Sequence, residues 1–221
     1  MADHDEVVRS TLYRALASTG RLPGLEEIAE VTALTPSDVS ESLERLAAAR
    51  HVVFDDAHRI VLAHPFATRN FAFSVMGDRT LWWGGCAWDA FAIPHLVPEE
   101  PSALVATTCP ACGTPHAWTV RRTEAPDGPQ VAHFLTPVAH VWDDVIHACE
   151  HQRIFCSRGC VDDWLERTGN SRGYVMDLAT LWRLAAHWYE GRLDSPYRRR
   201  EPAEAREYFA SVGLTGPFWG S

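Results

Sequence analysis

Six cysteines carry most of the chemistry open to this chain, and their spacing divides them. Cys109 and Cys112 lie in Cys-Pro-Ala-Cys-Gly. That is a knuckle: a tight turn points both sulfurs at one place, and Gly113 takes a backbone conformation that bulkier residues resist. Cys156 and Cys160 lie in Phe-Cys-Ser-Arg-Gly-Cys, where a strand leads into a helix start. The positive end of a helix dipole favours thiolates. The four together match tetrahedral structural zinc in residue type and count. The competing readings are a redox pair at Cys109 and Cys112, or unrelated buried cysteines.

Cys86 and Cys149 remain. If Cys86 opens a helix, Asp89 follows on the same face. The dipole then lowers the thiol pKa while the carboxylate raises it. A carboxylate beside a thiol suits a site where it takes the thiol proton and later returns it to a product. The other reading is a buried cysteine with Asp89 as a helix cap.

The elements that must position these groups fall into two stretches. Residues 1–65 read as a winged-helix-like unit. Val7, Val8, Leu12 and Leu16 recur at helical spacing, and Gly20 and Pro23 end that helix. A second helix, residues 25–31, turns Leu25, Ile28 and Ala29 inward. Thr35 suits an N-cap, with Pro36 at the first helical position and Asp38 in the first turn. The third helix carries Val39, Leu43, Leu46 and Ala47 on one face. Two short strands around Asp55 and Asp56 read as a hairpin. A DNA-reading role is set against a scaffold role. The third helix offers Asp38, Glu41 and Glu44 against a single Arg45, which argues against nucleic acid as a partner.

Residues 66–221 read as a catalytic domain. Strands flank Gly77-Asp78, a helix runs from Cys86 to Ile93 and ends or kinks at Pro94, and strands flank the Cys109 knuckle. Further strands fall at residues 131–135 and 153–155. A turn or helix is expected at residues 143–148, with helices at 158–168, 177–189 and 203–212. Arg198, Arg199 and Arg200 are either the solvated start of the last helix or a docking patch. The fold class expected is α+β: the winged-helix-like unit, then a mixed, mainly antiparallel β core with flanking helices.

The composition fits this. Hydrophobic residues are 46% and charged residues 22%, ordinary for a globular chain. A net charge of −9 disfavours binding nucleic acid over the whole surface. No apolar run approaches the ~20 residues of a membrane span. The acidic, polar first eight residues do not read as a signal peptide. Six cysteines are too few for a disulfide scaffold of this length, so a cytoplasmic protein with reduced thiols is expected.

The pattern Phe-Cys-Ser-x-x-Cys resembles treble-clef zinc modules. Trp83, Cys86, Ala87, Asp89, Phe91, Pro94 and Leu96, in that spacing, resemble the first catalytic segment of the organomercurial (alkylmercury) lyase family. The preceding strand fits, as do Cys109, Gly113 and Pro115. The segment Cys149-Glu-His-x-x-Ile-Phe-x-Ser resembles the one that holds the family's second catalytic cysteine. The resemblance covers roughly residues 10–190 and is specific at the two cysteine segments. The N-terminal unit is a family feature, not known there as a DNA reader.

The resemblance implies that Cys86 and Cys149 are mercury-binding thiolates and Asp89 the proton carrier. The reaction implied is protonolysis of the carbon–mercury bond, giving a hydrocarbon and Hg(II). That Hg(II) stays on both sulfurs as bound product until cellular thiols or a mercuric reductase take it. Soft mercury suits paired thiolates, and no organic cofactor is needed. Tryptophans and Phe91 would form a pocket for the organic group, or are ordinary core aromatics. Cys112, Cys156 and Cys160 depart from the family pattern. Either a zinc-stabilised branch keeps the lyase activity, or the fold serves another substrate or a non-enzymatic metal-binding or metal-sensing role.

Overall fold

A computed structural model describes residues 4–220; Met1, Ala2, Asp3 and Ser221 lie outside the described residues. Three helices open the chain: α1 (His4–Thr19), α2 (Leu25–Thr32) and α3 (Pro36–Ala48). They are followed by the hairpin β1 (Val53–Phe54) and β2 (Ile60–Ala63). Val8, Leu12, Leu16, Ile28, Val39 and Leu46 close their shared core. Leu25 differs from its expected inward placement: it opens α2 at 38% exposure, leaving Ile28 and Ala29 to make the contact. Thr35 caps α3 as expected, accepting from the Asp38 N–H at 3.1 Å while Asp38 accepts from the Thr35 N–H.

The second stretch contains β3 (Phe66–Ala67), β4 (Phe73–Met76), β5 (Leu81–Gly84), α4 (Ala87–Leu96), β6 (Ser102–Thr108) and β7 (Pro115–Arg121). There follow β8 (Val131–Phe134), α5 (Val145–Glu150), β9 (Gln152–Phe155), α6 (Arg158–Thr168), β10 (Tyr174–Asp177), α7 (Leu178–Ala186) and α8 (Pro202–Ser211). One sheet runs β1-β2-β3-β5-β4-β6-β7 and a second β10-β8-β9. Every pairing is antiparallel. The fold is α+β, with a mainly antiparallel β structure and flanking helices, as the sequence implies. The first hairpin joins the large sheet through β2 and β3, so the helical unit is tied to the rest by strand pairing.

α4 is the structural centre. Ala87 through Pro94 are all buried, so the helix is enclosed on every side rather than amphipathic. It packs against α7, β4, β5, β6, β7 and β9. Pro94 neither ends nor breaks it, and the helix continues to Leu96. Arg122 takes up the carbonyls of Pro94 and Val97 near its C-terminal end.

Apolar spacing predicts a helix through Tyr189, but α7 stops at Ala186. The Tyr208 hydroxyl explains the stop. It accepts the His187 N–H and donates to the Leu184 carbonyl, so it satisfies groups that another helical turn would have used. Trp188 and Tyr189 are thereby released toward the interior.

Candidate active site

Cys86 is the N-cap of α4. Its sulfur accepts the Asp89 N–H at 3.4 Å, so the cysteine caps the helix and the aspartate does not. The carboxylate is left free for other partners. It is 1% exposed. Tyr189 donates to Oδ1 at 2.5 Å, and His64 Nδ1 lies 2.9 Å from Oδ2. Gly85 makes room for it: a Cβ there would sit 2.5 Å from Asp89 Oδ2 and 2.8 Å from Leu62 Cδ2. Gly85→Ala is therefore expected to displace the carboxylate. Turnover should fall by about 10²-fold, the usual consequence of an ångström-scale misplacement, with mercury retention unchanged. Steady-state rates beside a mercury-binding assay check this.

Cys149 arrives from α5. Asp144 caps that helix by accepting the His147 N–H at 2.9 Å. The thiols of Cys86 and Cys149 are both buried and line the same cleft, close enough for each to perturb the other's titration. Donor atoms of His64, Asp89 and Cys149 lie within 4.8 Å of one another. Burial pushes the Cys86 thiol well above the ordinary thiol range, and the neighbouring Cys149 thiol and the Asp89 charge add to this. The neighbouring Cys86 thiol pulls Cys149 down, but burial and the charges of Asp89 and Glu150 outweigh it. In the expected contest between dipole and carboxylate, desolvation decides in favour of the neutral thiols.

The three groups line a narrow cleft of about 90 Å³ with His64, Trp88, Trp142, Gln152, Trp188 and Arg192. His64 Nε2 and Gln152 Oε1 are buried without a partner. Trp88 and Trp188 pack at 4.8 Å between centroids. Phe91 does not line the cleft; it is fully buried and packs toward Trp118.

The other four cysteines gather elsewhere. Cys109 and Cys112 sit in the β6–β7 turn, where Gly113 has φ +75° as the knuckle requires. Cys156 follows β9 and Cys160 lies in the first turn of α6. All four sulfurs lie within 4.8 Å of one another, with Cys112 and Cys156 at 3.4 Å. Hydrogen bonds from Thr114 hold the Cys112 thiol down to about 6. His116 Nε2 lies 3.4 Å from the Cys156 sulfur. The group joins the β6–β7 hairpin of the large sheet to β9 of the small one, over a core of Val131, Phe155, Val161 and Trp164.

Sequence reasoning missed His64, Tyr189 and Arg192. Each is a single residue without a motif, brought in by a distant element. Trp142 and Gln152 carry no signal either.

The family model for alkylmercury lyase matches residues 66–190, more than half of the chain. The chain belongs to the alkylmercury lyase family. It cleaves the carbon–mercury bond of organomercurials, as that family does. The fold is similar to that of the crystal structure of the mercury-bound form of MerB2, at 15% identity and a TM-score of 0.67. The match covers 88% of this chain and 93% of that one. No curated protein matches it. Among the described residues, no helix is long and apolar enough to cross a membrane.

Proposed function

We propose that Cys86, Cys149 and Asp89 carry the carbon–mercury cleavage of this chain. The observation behind the assignment is a single cleft lined by two buried thiols and a buried carboxylate in reach of them. The substrate, R–Hg⁺ carried on a small thiolate, exchanges that thiolate for the sulfur of one site cysteine. The proton of the second thiol passes to Asp89, and the new thiolate adds to mercury. The carbon–mercury electron pair then stays with carbon, which takes the proton from Asp89. Hydrocarbon R–H leaves, and Hg(II) remains on both sulfurs. Overall, R–Hg⁺ and two thiols give R–H, Hg(II) dithiolate and one proton. Soft thiolates suit mercury at each stage, and no organic cofactor takes part.

Asp89 works as a proton carrier because it is held on both oxygens. Tyr189 fixes one and His64 the other. The product mercury passes to cellular thiols or a mercuric reductase. Two buried thiols kept neutral fit a reducing, cytoplasmic setting. The test is phenylmercuric or methylmercuric ion with excess thiol, followed by gas chromatography. Benzene or methane is expected; folded protein that releases neither contradicts the assignment.

We also infer that Cys109, Cys112, Cys156 and Cys160 hold a structural zinc ion. With zinc–sulfur bonds of about 2.3 Å, a tetrahedral site needs sulfurs about 3.8 Å apart. Four sulfurs within 4.8 Å are close to that arrangement. The division at residue 65 belongs to the same proposal: residues 1–65 as a winged-helix-like buttress and residues 66–221 as the catalytic domain. The family match beginning at residue 66 supports it. A nucleic-acid role for the buttress is not supported, since Arg45 of α3 is paired with Asp5 at 2.9 Å.

A further inference from the structure

The catalytic cleft opens into a wider vestibule of about 640 Å³. The two spaces share Trp88, Trp142, Trp188, Arg199 and Arg200. Arg50 lines the vestibule and Arg192 the cleft. Four guanidinium groups thus surround one passage in a chain of net charge −9.

Their pairing is unusual. Arg198, next in sequence, forms ion pairs with Glu204 and Glu201. Among the described residues, no carboxylate lies within ion-pair distance of Arg50, Arg192, Arg199 or Arg200. Their partners are uncharged: Arg199 and Arg200 donate to the Ala49 and His187 carbonyls, Arg192 donates to the Tyr13 hydroxyl, and the guanidinium groups lie over aromatic faces. Arg50 and Arg199 lie over the Trp142 ring at 5.4 and 4.9 Å, and Arg200 lies over Tyr208 at 4.9 Å. Arg192 is 5% exposed, and its Nε has no partner; the same is true of Arg200 Nε. Burial and the neighbouring charges of Arg192 and Arg50 pull the Arg199 guanidinium below its usual range. Arg50 also has φ +63°, just past the end of α3, where glycine is the usual occupant.

A bare R–Hg⁺ cation would be repelled by such a passage. An adduct that brings negative charge would be drawn in, and guanidinium groups recognise carboxylates well. We propose that the vestibule is a carboxylate-binding subsite, and that the lyase takes organomercurials bearing a carboxylate on the carrier thiol or on the organic group. This inference rests on the proposed lyase site at Cys86 and Cys149.

The test measures binding and product separately. Methylmercury is presented as its mercaptopropionate, mercaptoethanol or mercaptoethylamine adduct, each with excess of the same thiol. In a second arm, para-mercuribenzoate is compared with phenylmercury, both as mercaptoethanol adducts. Stopped-flow tryptophan quenching gives the half-saturating concentration, and chromatography gives the methane, benzene or benzoate released. Anionic adducts are expected to bind about tenfold more tightly than neutral ones, with the cationic adduct weakest, a gap that narrows at high salt. Arg50→Gly and Arg199→Gln should each reduce the gap. Arg50→Gly relaxes the backbone, so folding is preserved. A preference in the first arm places the carboxylate on the carrier thiol; one in the second places it on the organic group. Equal binding of anionic and neutral adducts in both arms overturns the inference, as does a gap unchanged by both substitutions. A charge preference without methane, benzene or benzoate from any adduct supports the subsite and contradicts the lyase assignment instead.

Discussion

Asp89→Asn is expected to leave mercury bound and the hydrocarbon unreleased. The side chain keeps its size, so the N-cap at Cys86 and the packing against Gly85 persist. The proton route is lost. An amide cannot take the thiol proton and return it, and general acid–base groups of this kind contribute about 10²–10⁴ in rate. A reduction of that size in single-turnover hydrocarbon release, with stoichiometric mercury binding, checks the role. Cys86→Ala and Cys149→Ala remove the sulfurs themselves and should abolish turnover. If Asp89→Asn instead lost mercury binding and kept its residual rate per bound mercury, the carboxylate would be a ligand rather than a proton carrier.

The second large effect concerns the four-cysteine group. Purified protein is expected to contain about one zinc per chain, and structural sites of this kind carry on the order of 10 kcal/mol of metal-binding free energy. Cys109→Ser or a strong chelator should therefore remove the metal and lower the unfolding midpoint sharply. The cluster joins the two sheets and lies over Val131, Phe155 and Trp164, so its loss should loosen β9 first. Cys86→Ser should keep its zinc, which separates the two sulfur sets. Metal-free protein whose melting is unchanged by chelator would refute the zinc reading.

How much of this was legible in the sequence depended on distance along the chain. The knuckle at Cys109 and the helix opened by Cys86 are local, and local spacing carried them. The capping of α3 by Thr35 was legible for the same reason. Cys149 was legible only by subtraction, as a cysteine left over from the knuckles, and only resemblance to the family gave it a role. His64 and Tyr189 reach Asp89 from residues 25 and 100 positions away, so no window of sequence contains the contact. Tyr189 was further hidden because periodicity extends α7 through it, whereas a tyrosine from α8 ends that helix early. β3 is two residues long and β10 four, too short for periodicity to separate from loop. Gly85 carries no local mark of its role either, because the space it leaves is for a carboxylate that the following helix turns back toward it.

The proton that ends on carbon gives the most direct test. Phenylmercuric ion is cleaved in deuterium oxide with excess thiol, and the benzene is analysed by mass spectrometry. The account predicts benzene carrying one deuterium, formed by the unaltered chain and absent with Cys86→Ala or Cys149→Ala. Unlabelled benzene, or labelled benzene formed equally well without either cysteine, would contradict protonolysis at this site.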